Sequence, residues 1–254
     1  MTLEDSTFLA VVPAYNEAGT VAKVVRSLRE AAPRFDVVVV DDGSTDDTAG
    51  QAASAGAALI CLPFNLGIGG AVQTGFQYAR ERGYDYVAQV DGDGQHEAAE
   101  LQKLVNAMAA DRSIDVICGS RFLDAQERYP APISRRTGVH LFSFALRLML
   151  GQPVSDPTSG FRLYNRRAIA LFARDYPHDY PEVEAILMLH EHHLRMTEVP
   201  VRMQLRGAGR SSITKPRSLY YMIKVSLALV VGMMRRRTVL EPGDPAPVSG
   251  ERGI

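Results

Sequence analysis

The chain predicts an α/β fold with a mainly parallel central sheet and helices on both faces. Three observations carry this. Continuous apolar runs such as Phe8-Leu9-Ala10-Val11-Val12 and Val37-Val38-Val39-Val40 lack polar alternation, the pattern of strands buried on both faces. Amphipathic stretches separate the runs, and acidic or glycine-rich turns follow them, where open α/β sheets hold ligands. With 254 residues, 46% of them hydrophobic, the chain suits one sizeable domain with additions. A formal charge of −1 supplies no general field for nucleic acid, which is excluded as a partner.

In order, a strand is expected over residues 8–12, ended by Pro13. A helix over 18–32 carries Val21, Val24, Val25 and Leu28 at helical spacing. The second strand, 37–40, runs into Asp41-Asp42-Gly43-Ser44, and a short helix over 46–55 follows behind a Ser44 or Thr45 cap. Strands at 58–62, 86–90 and 116–118 then alternate with helices at 70–82 and 98–111. Cys61 and Cys118 close apolar strand-like runs and read as buried, reduced spacers. No basic and apolar leader precedes Phe8, so the expected compartment is a reducing cytoplasm.

The turn Val90-Asp91-Gly92-Asp93-Gly94-Gln95-His96 is the most informative stretch. Two hard oxygen ligands on a turn made bendable by Gly92 and Gly94 can share one divalent cation, Mn²⁺ or Mg²⁺, and leave its other positions to a diphosphate. For Asp-x-Asp alone, a solvated acidic turn is the alternative. The backbone of residues 13–17 can frame a base, and Asp42 offers a carboxylate to a base amide or ribose hydroxyl, although both also suit ordinary turns and helix entries. Gly67-Ile68-Gly69-Gly70 is not a dinucleotide fingerprint, because its third glycine would fall at Val72. In His190-Glu191-His192-His193 the zinc-protease pattern needs a second histidine at Leu194, so a polar helix face is expected. His96 either reaches phosphates or acceptor, or supports the turn as a neutral ring.

Five motifs in order, Val12 to Glu17, Asp41 to Asp46, Asn65 to Ala71, Asp91-Gly92-Asp93 and Gly119-Ser120-Arg121, resemble the family-2 glycosyltransferases over roughly residues 7–215. The resemblance implies the GT-A fold, with a nucleotide-sugar and metal half over about 7–122 and an acceptor half over about 123–218. It implies donor contacts at Pro13, Tyr15, Glu17, Asp42, Gly69, Asp91, Gly92 and Arg206, and metal ligands at Asp91 and Asp93. Gln95 joins them by similarity to polyprenyl-phosphate enzymes. Asp156 to Arg162 and Arg206 to Ser212 resemble loops of dolichyl-phosphate mannose synthases and related bacterial enzymes. Since guanidinium groups grip phosphate oxygens with two parallel bonds, Arg121 with Arg135 or Arg136 is the candidate acceptor-phosphate clamp, with Ser159 beside it. Arg206 and Arg210 are expected over the donor diphosphate.

The implied activity is inverting transfer of one sugar from a nucleotide donor, with Asp93, Arg121 and Glu184 as the catalytic set. A polyprenyl phosphate acceptor needs no base, whereas a saccharide hydroxyl needs Glu182 or Glu184. A nucleotide-sugar-binding subunit without activity is the reading from another class. Processive synthases carry Gln-x-x-Arg-Trp, and this chain has no tryptophan. The apolar stretches 139–150 and 219–234 are interrupted by Arg147 and Lys224, and the remaining run 225–234 falls short of the about 20 residues a span needs. Both are expected to lie in the membrane interface or to pack on protein. The helix expected over 219–240 contains Arg235-Arg236-Arg237, suited to anionic headgroups at the cytoplasmic face, and a disordered tail follows over 241–254.

Overall fold

A computed structural model describes residues 3–123, 143, 146, 147, 153–178 and 181–204. Arg135, Arg136, Arg206, Arg210, the helix expected over 219–240, the tail and nearly all of 139–150 lie outside the described residues.

The predicted alternation holds through the first half: β1 (Phe8–Ala14), α1 (Val21–Ala31), β2 (Phe35–Asp41), α2 (Thr48–Ser54), β3 (Ala58–Cys61), α3 (Gly67–Arg82), β4 (Tyr86–Gln89), α4 (Leu101–Ala110) and β5 (Val116–Ser120). Then come β6 (Arg162–Asn165), α5 (Arg166–Arg174), α6 (Pro181–Glu191) and β7 (Met196–Pro200). The seven strands lie in the order β3-β2-β1-β4-β6-β5-β7. All neighbours run parallel except β6, which is antiparallel to both β4 and β5. Side chains alternate across the sheet, so Phe8, Ala10 and Val12 join α1, α2 and α4 in one apolar layer. Leu9 and Val11 join α3, α5 and α6 in the other. Every residue of β1 and β5 is buried, as apolar runs without alternation require.

Three expectations shift for local reasons. The first helix starts at Val21 rather than 18, because Asn16 turns left-handed at φ +55° and the N–H groups of Thr20 and Val21 close a tight turn onto Glu17 O. Ser44 does not cap the second helix: its Oγ accepts from Asn16 N at 2.9 Å, while Asp46 Oδ1 accepts from Thr48 N at 3.1 Å. Cys61 is exposed rather than buried, since β3 is an edge strand, whereas Cys118 is buried in β5.

No strand was expected at β6, whose first residue closes the Asp156 to Arg162 motif. Its four residues include a buried arginine, which interrupts the apolar signal of a strand. Its insertion sets Gln89, Arg162 and Cys118 side by side in one row across β4, β6 and β5.

Candidate active site

A cleft of about 320 Å³ opens at the C-terminal ends of β1, β2 and β4, lined among others by Pro13, Tyr15, Glu17, Asp42, Asp91 and Asp93. Its walls are turns pinned to one another. Asn16 Oδ1 accepts from Thr45 N at 2.8 Å, and Glu17 N donates to Thr48 Oγ1 at 2.9 Å, which joins the turn after β1 to the turn after β2. Thr20 Oγ1 stands 2.9 Å from both Glu17 Oε2 and Gly92 O, tying that turn to the one after β4. Asp42 Oδ1 accepts from Leu66 N at 2.7 Å; burial pushes its carboxyl up against the pull of those backbone groups. A larger hollow, about 460 Å³ beside Arg29, Asp36 and Tyr84, lies where β1 to β3 begin. Its polar groups satisfy one another, Tyr84 Oη donating to Asp36 at 2.7 Å and Arg29 to Gly56 O at 2.6 Å, and no chemistry converges there.

The turn after β4 is built to aim carboxylates. Asp93 Oδ1 accepts from Gln95 N at 3.0 Å, and Gly94 takes φ +77°, a conformation that favours glycine. His96 Nδ1 accepts from Asp91 N at 3.0 Å, so the ring is neutral with its proton on Nε2, 3.6 Å from Asp91 Oδ2. Its side chain is only 4% exposed and packs on Phe161 with ring centroids 4.8 Å apart; burial holds its pKa down at about 4. His96 therefore supports the turn and does not reach outward.

Asp91 keeps 36% of its side-chain surface open to the cleft, yet it is recessed among surrounding atoms. Burial first, then repulsion from Asp93, pushes its carboxyl up to about 7. Two hard carboxylates under that strain fit a divalent cation, whose charge relieves both effects. Among the described residues no cluster of three His, Cys, Asp or Glu side chains is placed to hold a metal. Behind the pair, a Cβ on Gly160 would lie 3.1 Å from Asp91 Oδ1 and Gln89 Nε2, so a side chain here would press on the carboxylate.

The structure differs from expectation at four residues. Arg121 directs Nε and Nη2 to Asp156 at 2.6 and 2.7 Å, with its side chain 8% exposed, so its fork is engaged by a carboxylate within the protein. Ser159, expected at the acceptor, is buried and donates to Gly119 O at 2.6 Å, which makes it a pin of the loop. Gly69, expected at the donor, is buried away from the cleft, where a Cβ would lie 2.2 Å from Pro177 O; Gly67, Ile68 and Ala71 line the cleft instead. Glu184 lies about 200° around α6 from Glu182. Glu182 falls in the middle of the arc buried by Pro181, Val183, Ala185, Ile186 and Leu189, and Asp91, Arg162 and Arg121 all act on its carboxyl, which burial pushes up.

Sequence reasoning missed Asp156, Glu198 and Arg162. Glu198 on β7 accepts from Ser155 N at 2.7 Å and Asp156 N at 2.9 Å, presenting Asp156 to Arg121. Beyond β7, the chain returns to the turn after β4, with Gln204 N donating to Gln95 O at 2.8 Å and a bridge between His96 and Met203. The described residues thus end two positions before Arg206, directly beside Gln95. A helical wheel over 181–191 carried the signal for Glu182; nothing in the linear pattern marks the partners of Arg121.

A family model described as Glycosyl transferase family 2 matches residues 9–172. The undecaprenyl-phosphate mannosyltransferase of Micrococcus luteus is 32% identical over 214 residues, 81% of this chain and 87% of that protein. The polyprenol monophosphomannose synthase of Mycolicibacterium smegmatis is 28% identical over 227 residues, 86% and 85% of the two chains. Among solved structures, glucosyl-3-phosphoglycerate synthase from Mycobacterium tuberculosis in complex with Mn²⁺ and UDP-glucose is similar at TM-score 0.67 and 21% identity, covering 95% of this chain and 82% of that one. The sheet with its carboxylate turn is accordingly a GT-A fold, and the chain belongs to glycosyl transferase family 2 as a glycosyltransferase.

Proposed function

We propose that this enzyme moves one sugar, with inversion, from a nucleotide-diphosphate donor to a polyprenyl phosphate at the cytoplasmic face of a membrane. The observation that carries the reading is the pair Asp91 and Asp93 at the floor of a nucleotide-sized cleft, strained toward accepting positive charge. Asp91, Asp93 and Gln95 would hold Mn²⁺ or Mg²⁺, which when bound neutralises charge developing on the departing nucleoside diphosphate. Pro13, Tyr15, Glu17 and Asp42 frame the nucleoside, with Arg206 over the diphosphate. The acceptor phosphate meets Arg135 and Arg136, since the fork of Arg121 is engaged by Asp156. Relatives named for undecaprenyl-phosphate and polyprenol transfer support the acceptor class. No helix among the described residues is long and apolar enough to cross a membrane, so contact with the bilayer is proposed as peripheral.

A lipid phosphate is already ionised at neutral pH and attacks without a base. A second reading, transfer to a saccharide hydroxyl, is favoured by one observation: Glu182 stands within the electrostatic reach of Asp91, where a base would sit. The test is release of nucleoside diphosphate from GDP-mannose, UDP-glucose and UDP-N-acetylglucosamine with Mn²⁺, with a short polyprenyl phosphate and then a saccharide as acceptor. Lipid-phosphate-dependent release supports the proposal; release that only a saccharide stimulates replaces it with the second reading.

A further inference from the structure

Three buried N–H donors without a well-formed hydrogen bond among the described residues lie in one place, Gln89 Nε2 and Nε and Nη1 of Arg162, where Gln89 acts on the Asp91 carboxylate. Burying an arginine guanidinium is costly. Arg162 is nonetheless 1% exposed and among the largest fully buried side chains. Gln89 and Arg162 share a row of the sheet whose side chains face α6, two residues before Asp91 on β4. Gln89 Oε1 lies within reach of the Tyr164 and Tyr176 hydroxyls at 3.3 and 3.4 Å, which turns its amide nitrogen toward the glycine loop and Asp91. Arg162 Nη2 donates to Glu182 O at 2.8 Å and to Pro157 O at 3.4 Å, and the guanidinium also acts on the Tyr164 hydroxyl and the Cys118 thiol. One guanidinium thus holds both the first turn of α6 and the 156–160 loop that presses on Asp91.

We infer that Arg162 is a positioning residue for glycosyl transfer: a buried cation beneath Asp91 that locks the 156–160 loop and the first turn of α6 to the metal carboxylate as one unit. This deepens the proposed function and rests on it for its kinetic consequence alone. The cost of desolvating the guanidinium points to a group kept for its place in a site, since an apolar side chain of similar volume would fill the space without that cost. A lysine keeps the charge but not the planar fork, so it cannot span both carbonyls in the same geometry.

The experiment compares wild type, Arg162→Lys and Arg162→Met by hydrogen exchange with mass spectrometry and by kinetics with the donor selected above. For Arg162→Lys, exchange should rise together in peptides spanning 156–161 and 181–186 while β1 to β3 stay unchanged. Turnover number should fall by more than about tenfold, with the donor KM changed by less than about threefold. Arg162→Met should fall further than Arg162→Lys; if it does not fold, the lysine variant alone decides. Wild-type exchange in both segments of Arg162→Lys overturns the inference whatever donor the enzyme uses. So does wild-type turnover in that variant, or exchange rising across the whole chain, which is the mark of a purely structural role. Absence of transfer by the wild type would sink the proposed function, leaving the exchange result to judge the lock.

Discussion

On the nucleotide side of the cleft, the turns after β1, β2 and β4 are held by short polar side chains bonded to backbone: Asn16 to Thr45, Ser44 to Asn16, Thr48 to Glu17 and Asp93 to Gln95. On the opposite side, charged groups are buried against each other: Arg121 on Asp156, Arg162 beneath Asp91 and Glu182, and Glu198 on the backbone of the 155–156 loop. The first arrangement fixes shape cheaply, because each bond satisfies a backbone group that needed a partner anyway. The second fixes charge at the point where, under the proposed function, a diphosphate and an anionic acceptor meet, at the cost of desolvation. Shape for the nucleoside and charge for the transfer are thus divided between the two walls.

The sharpest way to break this division is Asp91→Asn. Turnover should fall by about 10³-fold or more, as expected when charge stabilisation at a leaving group is lost, while the fold persists. An Asp91→Asn enzyme with more than a tenth of wild-type turnover would remove the charge side of the comparison. Asp156→Asn should come next. It strips a buried arginine of its carboxylate, for which a loss of about 3–5 kcal/mol is expected, read as the change in denaturant midpoint. Asn16→Ala, on the turn wall, should cost only about 1 kcal/mol, because it removes hydrogen bonds in a half-exposed turn. Equal losses in the two variants would abolish the distinction.

Gly160→Ala probes the contact between the walls. Its new Cβ would press on Asp91 Oδ1 at 3.1 Å, so turnover should drop by about ten- to a hundredfold with little change in stability. Asp91 also makes the site sensitive to pH. Its carboxyl, raised to about 7 in the folded protein, favours folding below its unfolded pKa, and that contribution is lost as pH rises through about 7. Mn²⁺ competes with the same proton, so its thermal stabilisation should increase from pH 5.5 to 8 and then level off. A pH-independent shift would contradict the placement of the cation on Asp91. The smallest effect is chemical: native protein should expose Cys61 to a thiol reagent and protect Cys118, whose thiol burial pushes up to about 11.

Much of the nucleotide wall was legible in the sequence, because it is made of local features: apolar runs that end in Asp-Gly or Asp-x-Asp turns, with small residues where the chain bends. Asp91, Asp93, Asp42, Tyr15 and Glu17, which the family resemblance singled out, all line the cleft. The charged wall was not legible in the same way. Arg121 and Asp156 are 35 positions apart and meet only because β6 is inserted backwards between β4 and β5. That insertion has no periodic signature, since a buried arginine opens the strand. Ser159 and Gly69 were assigned by motif position, whereas packing turns the first onto Gly119 O and the second against Pro177. Glu182 over Glu184 was readable from helix geometry once residues 181–191 were taken as a helix.

The central claim is that the carboxylates of Asp91 and Asp93 bind a divalent cation and, through it, the nucleoside diphosphate. Isothermal titration of the wild type and Asp93→Asn with GDP and UDP, each with and without Mn²⁺, tests it directly. The account predicts that Mn²⁺ tightens binding of one nucleotide by at least about tenfold in the wild type and by less than about twofold in Asp93→Asn. Equal Mn²⁺ dependence in the two proteins, or none in the wild type, would contradict it.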